Sequence, residues 1–305
     1  MQRYLVRRIL LALVTLFVVS LIIFAMSRAA GDPRHVYMNE YSTQADWDRL
    51  TAAMGLDKPY YQQFGIFLRD ALSGNFGTSI KEQRPAMQII AERLPATLQL
   101  GLAAFAFSVL LGFPLGVLSA VKRGGILDIS GKLVALIGQS APVFWLGLML
   151  MFFFAVRLEW LPPYGRQEAT SIILPAVALG WFYAAANLRL LRSSMLNVLD
   201  SEFVKLARAK GVSTQAVIWK HSLRNALVPV LTFAGITLGN LVTGSIVVEQ
   251  VFAWPGLGRL AIEALVGNDY PLLQAVVIIF TLMYVMAALL VDIMYAYIDP
   301  RIRYA

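Results

Sequence analysis

Residues 94–121 read LPATLQLGLAAFAFSVLLGFPLGVLSAV, without an Asp, Glu, Lys or Arg. A hydrocarbon core about 30 Å thick takes about 20 apolar helical residues, so this stretch is long enough to cross one. Five more stretches share the property: 9–27, 133–156, 169–188, 225–248 and 270–291. Lipid gives backbone N–H and C=O groups no partner, which favours helices for such segments. A transmembrane β-barrel would instead show short segments of alternating polarity. The whole 305-residue chain is 58% hydrophobic and 14% charged, whereas soluble domains carry about 25% charged residues. Disordered chains, fibres and most water-soluble enzymes are thereby excluded.

Arg3, Arg7 and Arg8 ahead of the first stretch, with Ala29 and Ala30 behind it, resemble a secretory signal. The apolar run outlasts the usual 7–15 residues of a signal core, and Arg28 interrupts the cleavage region. The expectation is an uncleaved anchor. Segments 1–8, 122–132, 189–224 and 292–305 carry fifteen Lys and Arg, against three in 157–168 and 249–269. The long segment 28–93 does not set orientation, because long loops translocate largely regardless of charge. The positive-inside rule then places both termini in the cytoplasm of a multi-pass protein of the cytoplasmic (inner) membrane. The net charge of +8 is membrane-flanking bias rather than a nucleic-acid surface. The chain divides into an N-terminal transmembrane helix (1–30), an outer segment (31–93) expected to hold short helices such as 43–54 and 60–72, and a five-helix core (94–305).

Catalytic chemistry is absent. There are no cysteines, only two histidines (His35 and His221), and hence no metal-ligand set. The nearest approach to a phosphate-binding loop, Gly131-Lys132, has Leu133 next and the wrong glycine spacing. Polar residues within the spans are uncharged: Gln99, Gln139, Asn187, Asn240, Thr232, Thr237 and Thr243. Glu249 and Asp292 fall at span ends. No carboxylate relay is available for proton coupling, which favours a wide polar path or energy supplied from elsewhere. Pro95, Pro114, Pro142, Pro175 and Pro229 kink or bound four of the spans. Gly112 with Gly116, and Gly235 with Gly239, are small-xxx-small spacings that let helices approach closely. In 189–224, apolar spacing at Val204, Leu206 and Ala207 ends at Gly211, and Ser213 can cap a second short helix. Physically this pair is either a docking device or an amphipathic surface helix.

The stretch Glu202-Phe-Val-Lys-Leu-Ala-Arg-Ala-Lys-Gly211, followed by His221-Ser-Leu-Arg-Asn-Ala-Leu-Val-Pro229, resembles the EAA loop of ABC importer permeases. It is most similar to the B-type subunit of the dipeptide/oligopeptide/nickel transport family. Gly31-Asp32-Pro33, Gly74-Asn-Phe-Gly-Thr-Ser79, Glu249-Gln-Val-Phe-Ala-Trp-Pro-Gly-Leu-Gly-Arg259, Asn268-Asp-Tyr-Pro271 and Asp292-Ile-Met-Tyr-Ala-Tyr-Ile-Asp-Pro300 resemble further pieces of that family, in order. The name-giving Glu-Ala-Ala falls on Lys205-Leu206-Ala207, where only Ala207 matches, so no specific Glu contact is implied.

The resemblance implies an all-α, six-helix, type I ABC importer-like permease with a periplasmic insertion between helices one and two. It implies a homologous C-type permease, two cytoplasmic ABC ATPases that bind ATP and Mg²⁺, and a periplasmic or lipid-anchored solute-binding protein. This chain itself would hold no cofactor and no catalytic residue. An ATPase-coupling loop within 200–225 is expected from Glu202, Leu206, Ala207, Arg208, Lys210, Gly211 and Val212. Gln139, Asn187, Thr237, Gly239, Asn240 and Thr243 are expected along the translocation path. Glu249, Trp254, Pro255, Gly256 and Arg259 are expected at an outer gate or binding-protein contact. The alternative is a secondary transporter or channel, which should carry a mid-span charge or an inverted repeat. Dipeptides, oligopeptides, glutathione, nickel complexes and opines all fit this subunit type.

Overall fold

The computed structural model describes residues 2–29, 34, 43–53 and 55–298. Gly31-Asp32-Pro33, His35 and Asp299-Pro300 lie outside the described residues. Those described are helical apart from turns, loops and an isolated antiparallel bridge between Thr78 and Pro85. The helices are α1 (Gln2–Ala29), α2 (Gln44–Ala53), α3 (Tyr60–Leu72), α4 (Ala86–Val121), α5 (Ile126–Ser140) and α6 (Val143–Leu150). After π-helical Met151–Arg157 come α7 (Ile173–Leu199), α8 (Glu202–Ala209), α9 (Thr214–Ala216) and α10 (Leu223–Thr243). The chain ends with α11 (Ile246–Val251), α12 (Leu257–Val266) and α13 (Tyr270–Ile298).

Five helical stretches are long and apolar enough to cross a bilayer: Val6–Ala29, Ala86–Val121, Ala169–Leu199, Thr214–Leu241 and Tyr270–Val291. The sixth expected span, 133–156, is broken. Its halves, Ile126–Ser140 and Val143–Arg157, meet at 113°. Pro142 lacks the N–H that would continue α5, and Ala141 before it takes an extended ψ of 129°. The expected span 225–248 also differs. Its helix ends at Thr243, and Ile246–Val251 is a separate short helix. By contrast Pro95 and Pro114 sit inside an unbroken α4, and Pro175 is in the first turn of α7, where a missing N–H costs little.

The chain forms two compact units. One holds Thr97–Trp254 and the chain from Met286 onward. Its core is the packing of α4, α5 and α10 on α7. Val117 and Ala120, Leu191 and Met195, and Ala226 and Val230 bury one cluster there. Glycines let the backbones meet: a Cβ on Gly112 would lie 2.7 Å from the Ala184 carbonyl oxygen, and one on Gly180 would lie 2.5 Å from that of Ala104. A Cβ on Gly116 would lie 3.0 Å from the Leu188 carbonyl oxygen, and Gly235 abuts Val291. The expected close approaches at both glycine pairs therefore exist at Gly112, Gly116 and Gly235, and Gly239 is buried.

The other unit holds Gln2–Ala96 and Pro255–Val285. In it, Phe64 and Phe67 of α3 stack against Phe24 of α1, with ring centroids 5.4 and 5.7 Å apart. Leu10, Leu13 and Val14 of α1 stay exposed, as an apolar helix facing lipid requires. Asp269 accepts from the Ser79 hydroxyl at 2.5 Å and the Lys81 N–H at 3.2 Å. Two motifs far apart in the chain, 74–79 and 268–271, are thus tied together, with Gly77 against Pro271.

Candidate functional site

The 200–225 segment is built around a glycine-capped helix. Ser201, with an extended ψ of 152°, precedes α8, and Val204 anchors the helix with no exposed surface. At the other end Gly211 has φ +80°. Its N–H donates to the Arg208 carbonyl at 2.9 Å, and the Val212 N–H donates to Ala207 at 3.1 Å. This paired 5→2 and 6→1 closure is a Schellman motif, and it needs a residue free to take positive φ. Ser213 then caps α9, accepting from the Ala216 N–H at 3.4 Å.

A short second helix is expected here, but the structure extends it. From Thr214 the helix passes through π-helical Val217–Ser222 directly into α10. The segment is therefore one helix hung between α7 and α10, with Val217 buried as its second anchor. Glu202 and Lys205 pair at 2.7 Å in solvent and contribute little. Leu206, Arg208 and Lys210 are exposed, Ala207 and Val212 half-buried. Phe203 and Trp219, absent from the expected set, are 47% and 56% exposed. Their signal in the sequence is two aromatic residues within a cationic loop.

Between α5, α7 and α10 lies a cavity of about 740 Å³, lined by Lys132, Gln139, Arg189, Arg192, Ser193 and Phe233 among others. Of the path residues expected, Gln139 lines it. Asn187 does not: it is fully buried where α7 crosses Gly112, and both its amide atoms lack a partner there. Thr237 is buried and donates to the Phe233 carbonyl at 2.8 Å. Asn240 is half-buried in α10, which Thr243 ends. Next to the cavity Asp128 is buried and heavily bonded. It accepts from Arg192 Nε at 2.7 Å and Nη2 at 3.1 Å, from Ser119 Oγ at 2.6 Å and from the Gly124 N–H at 3.0 Å. Lys132 Nζ is 3.0 Å from it. This network locks the α4–α5 turn to α7. No sequence signal links Asp128 to Arg192, which lie 64 residues apart.

The outer turn is mostly interior. Glu249 has no exposed surface and accepts from Thr97 Oγ1 and Ser245 Oγ, each at 2.8 Å. It belongs to the separate helix α11, inside the fold rather than on its rim. Phe252 packs against Gly147, and Trp254 is 1% exposed with Arg166 stacked 5.9 Å above its ring. Neither Glu249 nor Trp254 offers surface to another protein in this conformation. Pro255 is half-buried and Gly256 buried at the start of α12, and Arg259 pairs with Glu263 at 2.8 Å. Among the described residues no group of three or more His, Cys, Asp or Glu side chains could hold a metal ion.

Comparison with known proteins gives the following matches. The profile of the family described as "Binding-protein-dependent transport system inner membrane component" matches residues 112–304. A profile for the N-terminal part of such membrane components matches 1–101. The glutathione transport system permease protein GsiC of Pectobacterium atrosepticum is 42% identical over 305 residues, covering all of both chains. The dipeptide transport system permease protein DppB of Alkalihalophilus pseudofirmus is 35% identical over 333 aligned positions, again covering all of both. Among solved structures, an inward-facing MetNI methionine ABC transporter matches with a TM-score of 0.59 at 22% identity, over 70% of this chain and 97% of that one. An amino acid ABC transporter solved with histidines matches with a TM-score of 0.55 at 17% identity, over 68% and 93%. These structural matches speak to the fold.

Proposed function

The chain belongs to the family of binding-protein-dependent transport system inner membrane components, and from that premise we propose that it moves short peptides or glutathione-like peptides inward. It is the permease subunit of an ABC importer and spans the membrane several times. Relatives named for glutathione and dipeptide transport, similar over their full length, support the peptide class. Its partners are a second, homologous permease, two cytoplasmic ATPases that bind ATP and Mg²⁺, and a solute-binding protein on the outer face. Both termini lie in the cytoplasm, so that α8 faces the ATPases.

The observation that carries this reading is the build of α8. Val204 and Val217 fix the segment to the bundle, the Schellman closure at Gly211 sets its angle, and Phe203, Leu206 and Trp219 are left in solvent. Exposed apolar side chains on the same segment as the exposed Lys205, Arg208 and Lys210 fit the anchor-and-rim pattern of a docking site. A rigid contact of this kind is what transmits movement of an ATPase to the helices on either side. The broken α5–α6 span gives those helices a point at which to bend.

The test is uptake by the reconstituted complex. Vesicles holding both permeases, both ATPases and the binding protein should accumulate a dipeptide or glutathione only with ATP inside the ATPase compartment. Uptake by this chain without ATPases, driven by a gradient alone, would overturn the reading in favour of a secondary transporter or channel.

A further inference from the structure

The cavity between α5, α7 and α10 is positively charged in a way that packing does not explain. Lys132, Arg189 and Arg192 all line it. Arg192 and Lys132 are bound to the buried carboxylate of Asp128. Arg189, one turn earlier on α7, is not: it is exposed, and its Nη1 donates to the neutral amide oxygen of Gln139. Among the described residues no carboxylate pairs with it. Arg189 follows directly on the uncharged run 169–188, where its guanidinium is exposed to the cavity. Here the one carboxylate of the network is occupied by two other cations, so the cavity has excess positive charge.

The remaining walls fit a small solute. Ala135, Leu136 and Phe233 are apolar, and Ser140 and Ser193 add hydroxyls. About 740 Å³ is within the range of small-molecule sites. A guanidinium binds a carboxylate through two parallel N–H···O bonds, and a charge-assisted bond is stronger than one to a neutral amide. A carboxylate entering the cavity can therefore compete with Gln139 for the Arg189 guanidinium.

We propose that Arg189 binds the carboxylate of the translocating solute, making this cavity an anion-selective step on the path, with Gln139 holding the guanidinium in place between passages. This rests on the peptide reading above, because a peptide carries a C-terminal carboxylate. The selectivity it adds belongs to the permease itself and is separate from that of the binding protein.

The chain has no native cysteine, so Ser193→Cys places a single thiol in the cavity. In the purified, nucleotide-free complex without binding protein, its reaction is measured with an anionic and a cationic methanethiosulfonate reagent. Rates are normalised to a free thiol. The anionic reagent should react about tenfold faster, the scale of electrostatic focusing in a charged cleft. Arg189→Gln should cut that preference severalfold and Arg189→Lys should keep much of it. Equal normalised rates without any change at Arg189 would overturn the proposal, and so would a preference undiminished in Arg189→Gln. Alanyl-alanine at millimolar concentration should slow the labelling, and its C-terminal amide should not. Equal protection by the amide also overturns the carboxylate assignment. If the charge preference holds and depends on Arg189 while alanyl-alanine fails to protect, the anion site stands and the peptide class of the solute falls.

Discussion

Asp128 shows what one buried charge does at the scale of a residue. Its carboxylate satisfies Arg192, Lys132, Ser119 and a backbone N–H at once, with 1% of its side chain exposed. Removing one partner of a buried pair leaves the other uncompensated. Asp128→Asn should therefore destabilise the protein by about 3 kcal/mol, read as a lower Tm of the detergent-solubilised complex. The double variant Asp128→Leu, Arg192→Leu should lose less than the sum of the single changes. An unchanged Tm for Asp128→Asn would mean that the network is not structural. Arg192 and Asp128 could not be paired from the sequence, because nothing local marks a contact made by two helices far apart in the chain. Gly211 could be read, since helical spacing stops there and only glycine takes φ +80° without strain.

At the scale of an element, glycines divide by what surrounds them. Gly180 faces the Ala104 carbonyl oxygen at 2.5 Å from where a Cβ would be, so α7 and α4 cannot accept a side chain there. Gly65, in the middle of α3, has nothing within 4 Å. Gly180→Leu should reduce membrane abundance sharply, as overpacking costs about 1–3 kcal/mol or more where backbone cannot yield. Gly65→Ala should leave abundance unchanged or raise stability by up to about 1 kcal/mol. Quantitative immunoblotting of both variants checks the pair, and equal abundance would contradict the packing. Element ends were harder to read than elements. The 225–248 run lacked charge until Glu249, so hydropathy could not see that the helix stops at Thr243. Pro142 announced a break, but the 113° between α5 and α6 follows from packing, with Phe252 seated on Gly147.

For the whole molecule, lipid made the plan legible. A bilayer demands long uncharged helical runs, and five of the six expected from the sequence are single apolar helices. The cavity was less legible, since which polar residue faces it depends on helix rotation: Gln139 lines it while Asn187 turns into a crossing. The proposed orientation, with both termini in the cytoplasm, rests on the Lys and Arg bias. Ser73→Cys should react with an impermeant thiol reagent from outside intact cells, and Ser213→Cys only after permeabilisation. The reverse pattern would invert the topology and put α8 out of reach of any ATPase. With that orientation, coupling through α8 is the claim on which the account turns. Gly211 has open space around it and positive φ. Gly211→Glu therefore strains the Schellman turn and adds charge at the proposed docking face without disturbing the bundle. The decisive measurement is solute-stimulated ATP hydrolysis, with ATPase stoichiometry, in the complex purified with and without Gly211→Glu. The account predicts normal membrane abundance, loss of stimulation and weakened ATPase retention, on the scale of about 2 kcal/mol for a central anchor. Unchanged assembly together with unchanged stimulation would show that α8 does not couple ATP to transport.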